Sequence, residues 1–194
     1  MGFAVQIGDQ SVNKILRYPG AVGMRLRIAW FRFLGAHIGN RCWLRRVDIS
    51  RNPWDLDLSD GVALDDGVIL LTTGQRSGRP RIRLGARTYV NRHTMFDASD
   101  RIEVGSDCMI GPFCYITDHD HGRGREGPRA DQPLDSLPVM IGDNVWIGAG
   151  VIILKGVQIG ANAIVGAGAV VTHSVGEGEV VAGIPARAIP SRGQ

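Results

Sequence analysis

The sequence predicts an all-β fold in which short strands stack into a three-sided prism, and three observations lead to it. From residue 141 onward, aliphatic side chains recur every six residues, as Ile141, Ile147, Ile153, Ile159, Val165 and Val171. Four residues after each stands a second small or branched apolar residue: Val145, Val151, Val157, Ala163, Ala169 and Val175. Of the 194 residues 44% are hydrophobic but only 6% aromatic, and 27 are glycine, so the core must be aliphatic and the corners many. A period of six fits neither an α-helix nor a simple strand alternation. It fits a unit of one short strand and one corner, three units closing each turn, with equivalent side chains piling up inside as turns stack. Gly142, Gly148, Gly160 and Gly166 directly follow the aliphatic series, with Leu154 and Thr172 in the same register. Gly and Asn relieve corners where positive φ is wanted.

Along the chain, residues 1–37 read as an N-terminal helical or capping segment. The stretch "GMRLRIAWFRFLGAHIG" sets Arg25, Arg27 and Arg32 among Leu26, Ile28, Trp30, Phe31, Phe33 and Leu34. A basic amphipathic helix of this kind buries its apolar side on its own prism or a neighbouring subunit, or else touches an anionic membrane surface, here through residues 20–35. The exposed end of a stacked prism needs a cap against edge pairing, and residues 11–37 could supply it. The prism domain covers residues 38–189, with irregular first turns in "HIGNRCWLRRVDI" and "LDLSDGVALDDGVIL" and a regular repeat over 82–117 and 138–182. Leu84, Val90 and Phe96 keep the step, a slip of two residues follows in "DASD", and Val104, Ile110 and Ile116 resume it. Cys108 and Cys114 hold the small-residue position of consecutive units, so packing accounts for them. Residues 118–137, beginning in "CYITDHDHGRGREGPR", leave the repeat as a polar loop, and residues 190–194 form a tail.

Charge and cysteine usage narrow the function classes. A net charge of +3, dispersed along the chain, does not argue for nucleic acid. The cations are nearly all arginine, Lys14 and Lys155 being the lysines, and arginine suits forked recognition of phosphate or carboxylate. Cys42, Cys108 and Cys114 have neither the even count of a disulfide framework nor the close pairs of a zinc site. The start, "MGFAVQIGDQ", lacks the basic end and apolar run of a signal peptide, and no uncharged stretch reaches the ~20 residues of a membrane span. The expectation is a cytoplasmic protein, with peripheral contact at the inner membrane face as the alternative for the basic segment.

The repeat, together with "IGDNVWIGAGVIILKGVQIGANAIVGAGAVVTHSVGEGEVVAGIPARAI", resembles the hexapeptide-repeat acyltransferases, in particular the galactoside and maltose O-acetyltransferase branch and its polysaccharide-modifying relatives. The resemblance implies a left-handed parallel β-helix, a homotrimer, and acetyl-CoA held in a groove between neighbouring prisms. In that family a loop histidine stands nine positions after a Pro or Gly, which from Pro112 is His121 here, while His119 falls two short. The family's asparagine corresponds to Asn91, fourteen residues before Gly105. The implied reaction is direct transfer: His121 as general base takes the proton of an acceptor hydroxyl, which attacks the thioester, and backbone N–H groups or the Asn91 amide face the developing oxyanion. Asp118, Asp120 or a backbone carbonyl would hold the imidazole tautomer. His119 could contact the acceptor or assist His121.

For the coenzyme, the resemblance places Trp146, Ala149, Ala167, Thr172, His173 and Arg187 along the groove. Small residues at 149 and 167 let pantetheine lie against the backbone, and Arg187 can pair with a phosphate. The chain departs from the family at His173, commonly lysine, and at Pro190, commonly arginine. The family's acceptor-side aspartate corresponds to Ser99, flanked by Asp97 and Asp100 as substrate-binding candidates. Residues 1–80 show no counterpart of the helical domain of galactoside and maltose acetyltransferases, so the acceptor could be a sugar of a polysaccharide or its lipid-linked precursor. Two alternatives stay open on the same fold: a carbonic-anhydrase-like metal hydratase using His93, His119 and His121, and a non-catalytic trimeric scaffold. The transferase reading expects no metal.

Overall fold

In the computed structural model, residues 22–76, 78–122, 128 and 132–189 are described. The tail at 190–194 and residues 1–21 lie outside them. Three parallel sheets run the length of a prism, each strand pairing with the equivalent strand one turn away. The first face comprises His37–Ile38, Leu56–Leu58, Ile82–Leu84, Ile102–Val104, Val139–Ile141 and Gln158–Ile159. The second comprises Trp43–Leu44, Ala63–Leu64, Tyr89–Val90, Met109–Ile110, Trp146–Ile147, Ile164–Val165 and Val180–Ala182, closed by antiparallel Arg187–Ala188. The third comprises Ile69–Thr72, Met95–Ala98, Tyr115–Thr117, Ile152–Ile153 and Val170–Val171.

The predicted stacks form the core. On the first face Val104 pairs with Ile141, which pairs in turn with Ile159, while Ile110, Ile147 and Val165 align on the second face. Cys108 and Cys114 are buried in the same column as the small residues, as packing required. Burial pushes both thiols above the ordinary range. The first turns are more regular than the sequence suggests. Leu58 pairs with Leu84, Leu64 with Val90 and Leu70 with Phe96, so the prism begins at His37.

Corners recur with left-handed backbone, and side chains there pair from turn to turn. Arg87 (φ 60°) and Asp107 (φ 60°) form two bonds of 2.6 Å; His93 (φ 58°) stacks on Phe113 (φ 59°) at 5.2 Å; Asn144 (φ 55°) donates to Asn162 (φ 62°) at 2.9 Å. These contacts offset part of the cost that a non-glycine residue meets in that conformation. Elsewhere glycine is needed for proximity: a Cβ on Gly148 would lie 2.5 Å from the Ala167 nitrogen of the next turn.

An α-helix, α1, over residues 22–33 closes the N-terminal end. Met24, Ile28 and the partly buried Phe31 pack on the core at helical spacing, and so cover the open end of the first turn. Arg27 donates to the carbonyl oxygens of Leu44 and Arg45, and Arg32 to those of Ile38 and Gly39, which binds the helix to the first turn. The opposite side is apolar too: Val22, Leu26, Trp30 and Phe33 are exposed, with Trp30 and Phe33 stacked at 5.8 Å. No described helix is long and apolar enough to cross a membrane.

The insertions share one edge. The chain lengthens between the third and first faces at residues 49–55, 73–81, 99–101 and 118–138, and returns to the six-residue step afterwards. The slip in "DASD" is one of these. A polar spine accounts for their stacking: buried Asp55 pairs with Arg81, Arg81 donates to the carbonyls of Ser99 and Gln75, and buried Asp118 accepts N–H bonds from Ser99, Asp100 and Arg101. Each turn's insertion thus satisfies the backbone of its neighbour.

Candidate active site

The loop of residues 118–137 is more ordered at its base than a solvated loop would be. His119–His121 pairs antiparallel with Leu134–Ser136, matching His119 with Ser136, Asp120 with Asp135, and His121 with Leu134. Asp120 and Asp135 face one another across this hairpin, a like-charge pair that is unfavourable alone. Lys155, from the following turn, bridges them at 3.1 and 2.5 Å, and its bond to Asp135 and the nearby Asp120 raise its pKa above the usual lysine value. Leu137 donates to the Asp118 carbonyl at 2.8 Å and accepts from Gly156 at 3.0 Å. Sequence reasoning missed Lys155; the one available signal was its being one of only two lysines, with Lys14, in a chain whose other basic side chains are arginine and histidine.

The two histidines have different surroundings. The Asp118 carboxylate lies 2.9 Å from Nδ1 of His119, whose Nε2 is 4.0 Å from Asp97; its side chain is 11% exposed. Asp97 also accepts from the Tyr115 hydroxyl at 3.0 Å. His119 is therefore held between two carboxylates at the edge, while His121 is exposed at the end of its strand. Asp118, one of three groups expected to orient an imidazole, orients His119 and not the neighbouring histidine. Asp100 turns to Arg79, at 2.5 Å, so Asp97 and Asp100 do not converge.

A groove of about 480 Å³ runs along the second face. Asn91, Trp146, Ala149 and Ala167, all expected at the site, line it together with Tyr89, Met109 and Ile164. Tyr89 and Met109 were not singled out from sequence, where they read as ordinary outward repeat positions. The lining is mainly apolar, Trp146 is 56% exposed, and the small side chains of Ala149 and Ala167 keep the floor low. A long, narrow, weakly polar chain such as pantetheine fits such a cradle. Thr172, His173 and Arg187 do not line this groove. Thr172 and His173 contact one another at 2.8 Å, and exposed Arg187, on the last strand of the second face, bonds the Ala186 carbonyl. Arg187 thus presents its charge at the C-terminal end of the face that carries the groove. No described hairpin residue lines it either.

Among the described residues no three His, Cys, Asp or Glu side chains gather as a metal site. His93, a candidate ligand in the hydratase alternative, is stacked at a corner on Phe113.

The family described as "Bacterial transferase hexapeptide (six repeats)" matches residues 138–173. Nodulation protein L of Rhizobium meliloti (strain 1021) is 39% identical over 150 residues, which span 75% of this chain and 81% of that protein. The chain belongs to the hexapeptide-repeat acyltransferases. A putative lipopolysaccharide-biosynthesis O-acetyl transferase of Escherichia coli (strain K12) is 34% identical to this acyltransferase over 120 residues, 58% of the chain and 61% of that protein. Among solved structures, a hexapeptide-repeat acetyltransferase of Vibrio cholerae O1 biovar eltor in complex with acetyl-CoA superposes with a TM-score of 0.63 at 25% identity, covering 100% of this chain and 93% of that one. The prism is accordingly a left-handed parallel β-helix.

Proposed function

We propose that the protein is an acetyl-CoA-dependent O-acetyltransferase acting on a hydroxyl of a sugar within a polysaccharide or its lipid-linked precursor. The observation that carries this reading is the groove that gathers Asn91, Trp146, Ala149 and Ala167 on one face. Acetyl-CoA, when bound, supplies an acyl group activated as a thioester. Ala149 and Ala167 leave the backbone open to its pantetheine arm, Trp146 walls that arm, and Arg187 with Thr172 and His173 meets the phosphates at the C-terminal end. His121 takes the proton from the acceptor hydroxyl. The Asn91 amide, whose oxygen accepts from the Arg92 N–H at 2.8 Å, has its NH₂ available as a donor to the developing negative charge.

In this reading the protein works as a homotrimer, because the groove and the exposed His121 belong to different parts of one chain and a neighbouring copy unites them. Asp97 and His119 border the acceptor. The outward stripe of α1, with exposed Arg25 at its edge, supports peripheral contact with an anionic inner membrane face, where a lipid-linked acceptor resides.

A second reading has its own observation: the buried Asp118 carboxylate on Nδ1 makes His119 an oriented imidazole, and His119 would then be the base. Acetyl transfer by His121→Ala and His119→Gln separates them. With His121 as base, His121→Ala lowers kcat by about 10²–10⁴ and leaves coenzyme A binding intact, while His119→Gln acts mainly on acceptor KM. Near-normal turnover by His121→Ala would exclude it as the base.

A further inference from the structure

The second face carries a row of outward side chains in lateral register: Trp43, Ala63, Tyr89, Met109, Trp146 and Ile164. The groove ends at its N-terminal side on Tyr89. Beyond the same Tyr89 lies a second depression of about 280 Å³, lined by Trp43, Arg45, Asp65 and Tyr89. Trp43 and Tyr89 stand two strands apart, roughly 10 Å at ~4.8 Å per strand. Between them the row drops to the methyl of Ala63. The centre of one saturated six-membered ring placed midway would lie about 5 Å from the level of each aromatic residue, which leaves its C–H groups within reach of both.

The rim is polar and fixed. Asp65 accepts from Arg45 at 3.2 Å, from the Tyr89 hydroxyl at 3.3 Å and from Arg92 at 3.4 Å. Burial opposes its ionisation, but the Asp66 N–H and the two guanidinium groups prevail and hold its carboxyl below the usual carboxylate range. Trp43 is 41% exposed, a large ring left open at the surface. An apolar wall, a small floor and a few fixed donors and acceptors suit a ring with C–H faces and an equatorial belt of hydroxyls.

We propose that the slot of Trp43, Arg45, Asp65 and Tyr89 binds a pyranose ring of the acceptor. The proposal rests on the donor groove argued above. With the phosphates at the Arg187 end and pantetheine past Trp146, the thioester reaches Asn91 and Tyr89, and the slot is the next space along the face. The first turns of the prism thereby contribute to acceptor selection.

The test uses the full chain labelled with ¹⁵N at its tryptophan indoles, the Trp43 signal being assigned through Trp43→Phe. It is titrated separately with coenzyme A and with p-nitrophenyl glycosides of glucose, galactose and mannose and with maltotriose. At least one saccharide is expected to shift the Trp43 signal and not Trp146, whereas coenzyme A shifts Trp146. Trp43→Ala then raises KM for the accepted saccharide about tenfold and leaves KM for acetyl-CoA within about twofold. If Trp43→Ala does not fold, Asp65→Asn, read by the same Trp43 titration, must weaken saccharide binding. A Trp43 signal silent to every saccharide overturns the proposal, as does a Trp43→Ala protein that loses its oligomeric mass, which would make the slot a contact between copies. Silence of Trp146 towards coenzyme A would instead refute the donor groove and leave the Trp43 response to decide the slot.

Discussion

Asp118 is the residue through which the insertion edge is held, and replacing it by asparagine isolates that role. Its carboxylate is buried and accepts from Ser99 at 2.8 Å and His119 at 2.9 Å on one oxygen, and from Asp100 at 2.7 Å and Arg101 at 2.5 Å on the other. The asparagine amide would keep the shape but turn one oxygen into an NH₂ group. In either orientation that NH₂ faces two donors, so two charge-assisted bonds are lost and at least one backbone N–H is left buried without an acceptor. At ~1.5–3 kcal/mol per bond to a charged group, Asp118→Asn should cost about 3–6 kcal/mol. For a domain of this size that is a fall of roughly 6–24 °C in Tm. Urea unfolding followed by circular dichroism, at one fixed protein concentration so that any self-association counts equally for both proteins, reads the loss directly. A loss below about 1 kcal/mol with an unchanged m-value would show that the edge does not depend on this carboxylate, and the account of the spine would fail.

Two further outcomes probe other levels of the structure. Gly148→Ala puts a methyl group 2.5 Å from the Ala167 backbone nitrogen; since turns cannot separate without breaking the ladders on all three faces, we expect a loss of at least about 2 kcal/mol in urea unfolding. Leu26→Glu on the outer side of α1 should abolish co-sedimentation of the protein with phosphatidylglycerol vesicles while leaving the melting temperature nearly unchanged; equal sedimentation by both proteins would remove the membrane assignment.

The prism was legible because its cause is local and periodic. A residue such as Ile147 states its position through its neighbours at 141 and 153, and the buried column follows without any knowledge of distant contacts. The first turns were harder to read because insertions at 49–55 and 73–81 break the count between Leu58, Leu70 and Leu84, although each strand still finds its partner. The edge was least legible. Asp118 meets residues 99–101, and Lys155 meets Asp120 and Asp135, only after turns have stacked, and nothing in the local sequence marks those separations. The groove half of the candidate site, Asn91, Trp146, Ala149 and Ala167, gathers on one face because those residues share the period; Thr172, His173 and Arg187 belong to its closing turn and strand, outside the groove.

The division between regular and irregular parts also explains how one repeat can support chemistry. A perfect prism offers three similar faces and no reason for a reaction at any one of them. The second face stays regular, and regularity suits a cradle for an extended molecule, since each turn adds one more shallow, apolar step. Proton transfer needs the reverse: polar groups with individual orientations, which the repeat cannot supply because its inward positions must be aliphatic and its corners are occupied by stacked pairs. The insertions supply them at a single edge, where Asp118 and Lys155 replace the ladder bonds that the departing chain gives up. Concentrating these insertions on one edge leaves the strands of the second face in regular register from Trp43 to Val165. In the proposed reading, such separation lets acceptor specificity at the edge and in the first turns vary while donor binding in the groove is retained.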